Sequence, residues 1–205
     1  EVERNIKKLK SKSTYDQQGL STKILQNSGQ DAIKSLQLIL DEVDKTSTMP
    51  KQWTEMIIKS ISKGTGMNND VKKRRGLFIT NIISKVYEKI KLERNEERIN
   101  SGISNYQCGG KKGRSTIDHI MTLNAVIEYN KEIGSETYIL FADAYKCFDK
   151  LNLKNCIIDI QKDIGPEEAM KLYKLNEYGL AIIRTPVGDI GPIEVNGIVR
   201  QGTIS

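Results

Sequence analysis

TYILFADAYKCFDKL, residues Thr137–Leu151, decides how the chain reads. Its first six residues, Thr137 to Ala142, are almost all aromatic, β-branched or aliphatic, with no Gly, Pro or charge. A short apolar run bounded by polar residues suits a buried strand, because a helix would want more length and a 3.6 period. Asp143 follows directly, so a hydrophobic segment delivers a carboxylate to the rim of a sheet. A carboxylate beside a core is costly unless a cation meets it. A divalent metal is one such partner. The alternative is structural: Asp143 caps the next turn or pairs with one of the many lysines.

Working outward, the whole sequence bounds the answer. A length of 205 residues allows one large domain or two small ones. Lys and Arg number 32 against 26 Asp and Glu, giving +6 and a pI near 9.1. That excess favours a polyanionic partner. The cations are spread along the chain except for one dense group, Lys72-Lys73-Arg74-Arg75, which also reads as a solvated loop. Cys108, Cys147 and Cys156 make an odd count without a CxxC pair, so neither a disulfide framework nor a zinc site is indicated. The single histidine, His119, excludes a His-rich metal centre and reads as a helix-surface residue. No run approaches the roughly 18–20 apolar residues of a membrane span. The N-terminus EVERNIKKLKSK has no signal-peptide core. The expectation is a soluble intracellular protein of nucleus or cytoplasm, not secreted and without a membrane partner, and Glu1 in place of Met reads as an excised fragment.

Periodicity places the elements. A short helix is possible at Val2–Leu9, followed by a loop around Ser13–Gly19. Ile33, Leu36, Ile39, Leu40 and Val43 predict an amphipathic helix over 30–45. Trp53, Ile57, Ile58 and Ile61 form an apolar cluster readable as helix or strand. The breaker-rich basic segment KGTGMNNDVKKRR, residues 63–75, precedes Leu77–Ile79, which fits a β-ribbon with a basic tip. Thr80 can cap a helix to about Arg98. Ser115 and Asp118 spell a capping box opening a helix to Tyr129, with an apolar stripe at Ile117, Ile120, Leu123 and Ile127. Asn152 caps a further helix, Gly165-Pro166 ends it and starts another, and the alternating tail turns at Val187-Gly188-Asp189 as a hairpin.

Three separated pieces then point to one chemistry. The basic loop with Lys63 and Arg75 offers cations for a polyphosphate, Asp143 offers a metal-binding carboxylate, and Arg200-Gln201-Gly202 offers a turn where backbone can approach a nucleotide. Phosphoryl transfer to nucleic acid uses this combination. Five blocks in order resemble the reverse transcriptases of non-LTR (LINE-type) retrotransposons: MPKQWTEMIIKSISKG at 49–64, KKRRGLFITNIISKVYEKI at 72–90, NYQCGGKKGRSTIDHI at 105–120, FADAYKCFDKL at 141–151 and GIVRQGTIS at 197–205.

The resemblance implies an α+β fold of the right-hand polymerase type, with helices packed on an incomplete antiparallel palm sheet. It divides the chain into an N-terminal helical extension of the fingers (1–48), fingers (49–135) and a partial palm (136–205). It implies RNA-directed DNA synthesis with RNA template, DNA primer and dNTP as partners and two Mg²⁺ ions as cofactor. Asp143 would be the first catalytic carboxylate and, with the Ala144 carbonyl, a metal ligand. Backbone amides over Tyr145, Lys146 and Cys147 would lie near the triphosphate, and Phe148 would gate the sugar. Arg75 and Lys63 would touch triphosphate oxygens, while Gln201 and Gly202 would lie beneath the templating pair. Lys72, Lys73 and Arg74 would meet nucleic acid. Arg114, Ser115 and Thr116 could contact template phosphate at a helix N-terminus, or only cap the helix. Asp149, also usual in the family, reads as structural.

The departures are specific. No Asp-Asp pair occurs anywhere, and Gly110 stands where the family generally has an aromatic. The sequence stops within the second palm motif, so the fragment alone is expected not to polymerise. A second reading is a non-catalytic nucleic-acid-binding remnant of a truncated element. A carboxylate metallonuclease is disfavoured because such a site needs several acids close together.

Overall fold

Ile33, Leu36, Leu40 and Val43 recur at helical spacing and bury one face of the helix Gln30–Thr46 (α3). In this computed structural model, which describes residues 1–62, 74–144 and 147–196 without the side chains of Phe148 and Asp149, that face meets the rest of the core. Val2–Lys7 (α1), Thr22–Gln26 (α2) and Ile82–Gly102 (α4) pack around it. Val2, Ile6, Leu25, Ile82, Val86, Tyr87, Ile90 and Leu175 join the cluster. Trp53, on a short 3-10 turn at Lys51–Thr54, closes it with its ring 5.4 Å from that of Tyr87. The loop before α2 is pinned by Asp16. Its carboxylate accepts the Leu20 N–H at 2.8 Å and the Ile82 N–H at 2.9 Å, satisfying a donor at the start of α4.

The sheet contains Glu55–Ser62 (β1), Arg74–Thr80 (β2), Tyr178–Thr185 (β3) and Gly188–Asn196 (β4) in the order β2-β1-β3-β4. The expected β-ribbon and tail hairpin are both present as antiparallel pairs. The fold is α+β, as expected, but the sheet is mixed instead of antiparallel, because β1 and β3 run parallel. A parallel pair needs a long crossover. Here that connection carries α4, Thr116–Glu132 (α5), Cys147–Lys150 (α6), Leu153–Ile164 (α7) and Pro166–Glu177 (α8). The sheet thus joins residues 55–80 with 178–196, which lie on either side of the expected 135/136 boundary.

Local capping follows the sequence closely. Ser115 and Asp118 form the capping box of α5, Asn152 caps α7, and Pro166 opens α8 directly after Gly165. The α4 cap is Asn81 instead of Thr80: its Oδ1 accepts the Ser84 N–H at 3.0 Å, while Thr80 is the buried last residue of β2. No helix among the described residues is long and apolar enough to cross a membrane.

The buried strand expected at 137–142 is not formed. These residues carry no regular structure, and Tyr138, Leu140 and Phe141 are 88%, 91% and 83% exposed. A strand must hand its N–H and C=O groups to a neighbour, and the sheet does not include this run. Asn130 Nδ2 donates to Thr137 Oγ1 at 2.9 Å, which tethers only its beginning. The stripe expected on α5 is likewise unpacked: no α5 residue is buried, and Ile117 and Ile120 are more than half exposed.

Candidate nucleic-acid interface

Alternation along β1 and β2 sends successive side chains to opposite faces, and cross-strand partners share a face. Ile61 pairs with Arg75, Lys59 with Leu77 and, across the parallel ladder, Lys59 with Arg184. Lys59, Arg75 and Arg184 therefore stand on one face, drawn from three adjacent strands. All three are exposed. Arg75 and Lys59 make no hydrogen bond or ion pair among the described residues. Arg184 is held by Asp189 of β4, its cross-strand partner, through Nε to Oδ1 at 3.1 Å and Nη2 to Oδ2 at 3.0 Å. That fork raises the Arg184 pKa and lowers the Asp189 carboxyl, chiefly through the hydrogen bonds themselves.

Arg74 faces the other way. Its Nε donates to Ser60 Oγ at 2.7 Å and its Nη2 to the Ser60 carbonyl at 3.0 Å, so part of its guanidinium is spent on pinning the ribbon. Lys63, Lys72 and Lys73 lie outside the described residues, as do Tyr145, Lys146, Gln201 and Gly202.

At the start of α5, Ser115 Oγ accepts the Ile117 N–H at 3.2 Å and Asp118 Oδ2 accepts the Ser115 N–H at 2.7 Å. Hydrogen bonding from Ser115 holds the Asp118 carboxyl below its ordinary value. Arg114 approaches Asp118 at 3.9 Å. The chain's own Asp118 carboxylate and Ser115 hydroxyl thus take two of the N–H groups at this helix start, and Thr116 is the first helical residue.

Asp143 and Ala144 lie on the exposed irregular run and belong to no strand of the sheet. Asp143 makes no hydrogen bond or ion pair among the described residues. Cys147 opens α6 with an exposed thiol, and Phe148 follows within that helix. Among the described residues no group of three or more His, Cys, Asp or Glu side chains is arranged to hold a metal. A Mg²⁺ pair needs several oxygen donors, so the described residues around Asp143 do not by themselves fit one.

No family model matches the chain.

The cation row that includes Lys59 and Arg184 was not anticipated from sequence. Alternation in EMIIKSIS marks Lys59 as one face of a strand, but its neighbour lies 125 residues away (184 − 59). Only the parallel pairing reveals the row.

Proposed function

We propose that this chain is the fingers and first part of the palm of a non-LTR, LINE-type reverse transcriptase, an intracellular protein that binds an RNA template, a DNA primer and a dNTP. The observation that carries the reading is Arg75: an exposed guanidinium on β2 with no hydrogen bond or ion pair among the described residues, next to the basic segment and on the strand for which the resemblance assigns a triphosphate contact. The positive net charge supports a polyanionic ligand. The reading brings Mg²⁺ with it and assigns Asp143 and the Ala144 carbonyl as ligands; the further carboxylates it requires are not among the described residues. The polymerase reaction is therefore proposed for the parent enzyme.

Fluorescence anisotropy with a labelled RNA–DNA template–primer tests it. The chain should bind with an affinity that falls steeply as salt rises, and Arg75→Ala should weaken retention of a dNTP on the complex. Absence of template–primer binding at low salt refutes the reading. The lone exposed Asp143 favours a second reading, a binding module without catalysis. Primer extension by the full gene product separates the two, since dNTP incorporation abolished by Asp143→Ala belongs only to a polymerase.

A further inference from the structure

The resemblance assigns Arg75 but says nothing of Lys59 or Arg184. We propose that Lys59 and Arg184 continue the line of Arg75 into one cationic row across β2, β1 and β3, which takes the sugar–phosphate backbone of a single-stranded nucleic acid leading toward the nucleotide at Arg75, with Arg184 aimed by Asp189. This rests on the reading of the chain as a nucleic-acid-binding protein and extends it to a defined path across the sheet. The three strands span two interstrand spacings, roughly 10 Å, so the row is a track and not a single-phosphate pocket. Lys59 and Arg75 bring charge that is unpaired among the described residues. Arg184 keeps a guanidinium nitrogen, Nη1, free of the Asp189 fork. Leu77, directly across from Lys59 and 39% exposed, offers an apolar step beside the cations. The acids on this face do not cancel the row. Asp189 and Arg184 form a pair of zero net charge, so the net charge of the row is that of Lys59 and Arg75, and Arg184 contributes hydrogen-bond donors. Glu55 lies four residues along β1 from Lys59, about 13 Å away at the rise of a strand, and Glu194 lies at the same level two strands across on β4. Glu55 also accepts from Gln18 Nε2 at 2.7 Å.

The test is anisotropy with fluorescein-labelled 20-nucleotide single strands of RNA and of DNA, titrated across a salt series. Lys59→Ala should weaken binding about fivefold at 0.1 M salt and flatten the slope of log K against log salt by about 0.7, the signature of one lost phosphate contact on a single strand. The double variant Arg184→Ala/Asp189→Ala leaves the net charge at +6, so a comparable loss from it reports contact and not bulk charge. Lys34→Ala, which removes an exposed cation from α3, should leave the slope unchanged. Equal losses on RNA and DNA mark backbone recognition. If Lys59→Ala behaves like Lys34→Ala and the double variant binds as the wild type does, the row is wrong while the proposed function stands. If the wild-type chain binds neither strand, both fall.

Discussion

Asp44→Ala is the most informative single perturbation of the helical core. Asp44, near the end of α3, pairs with Lys91, accepts from Tyr87 Oη at 3.0 Å and from Arg94 Nη1 at 2.9 Å, and lies 3.7 Å from Lys171. Lys91 is only 2% exposed, with its ammonium 5.3 Å from the Tyr87 ring centre, and its other carboxylate is Glu168 of α8 at 3.1 Å. Deleting Asp44 leaves a buried ammonium with one partner and a buried phenol without its acceptor. Removing one partner of a buried ion pair costs about 3–5 kcal/mol. Glu168 remains and the Asp44 side chain is 27% exposed, so the lower end, about 3 kcal/mol, applies. For a chain of this size each kcal/mol lowers Tm by about 2–4 °C, which gives a drop of roughly 6–12 °C. Urea unfolding followed by Trp53 fluorescence measures the free energy and a thermal scan the Tm, because Trp53 is the chain's one tryptophan and packs on Tyr87. Asp44→Ala/Lys91→Met, which removes both charges, should recover a good part of the loss. A cost below about 1 kcal/mol for the single variant, or a double variant no better than the single, refutes a buried charge clamp between α3, α4 and α8.

The same network fixes the response to acid. Burial alone would raise the Asp44 and Glu168 carboxyls, but hydrogen bonds and charge from Lys91, joined by Tyr87 and Arg94 at Asp44 and by Lys171 at Glu168, outweigh it and hold both below their ordinary values. Glu93, bonded by Lys8, Asn5 and Arg4, is drawn down to about 2. A carboxyl with a depressed folded pKa contributes fully above its unfolded value and loses that contribution as pH falls through the folded one. These groups should therefore leave urea midpoints level from pH 8 to 5, with a decline from about pH 4.5 toward 2; a decline beginning near pH 6 assigns the sensitivity elsewhere. Ser115→Ala removes the α5 cap and should cost about 1 kcal/mol of helix stability by circular dichroism while RNA affinity stays unchanged; a parallel fall in affinity would make Ser115 a phosphate contact. Leu140→Lys, at an exposed site, should alter stability by no more than about 0.5 kcal/mol, and a loss above about 2 kcal/mol would show that 137–142 is buried after all.

What was legible in the sequence was what its chemistry completes within a few residues. The Ser115–Asp118 capping box spans three positions, Gly165-Pro166 must interrupt a helix, and the stripe Ile33, Leu36, Leu40, Val43 commits α3 to one buried face. The helix Thr22–Gln26 is too short to show a period and escaped notice, although Ser21 caps it by accepting the Ile24 N–H. Lys91 and Lys171 were equally illegible. For Lys91 nothing local distinguishes a buried lysine from a solvated one, since its carboxylates come from α3 and α8. For Lys171 the i−4 and i−3 partners Glu167 and Glu168 are local, but on their own they read as a solvated helix face, and only Asp44 of α3 comes from elsewhere. The site divides in the same way: Arg75 follows from its own block, while Lys59 and Arg184 become neighbours only through a crossover of more than a hundred residues.

The run 137–142 shows why composition alone misleads. Met56 and Ile57 belong to an apolar segment no greasier than TYILFA, yet they are 0% and 1% exposed, on a strand that β2 and β3 pair on both sides, whereas 137–142 has no paired neighbour among the described residues. Strand propensity is therefore a demand for neighbours and packing, not a property that a segment carries with it. The apolar content of 137–142 expresses the same demand, and within the described residues nothing answers it. The consequence reaches Asp143. A carboxylate becomes a well-placed ligand only when the backbone beneath it is fixed to within a fraction of an ångström, and an irregular run with no strand partner among the described residues does not supply that. The basic row needs no such help, because its three cations already stand on paired strands. The proposed polyanion binding by the sheet and the proposed chemistry at Asp143 are thus separable, and on this reading the sheet should retain the first even where the second is lost.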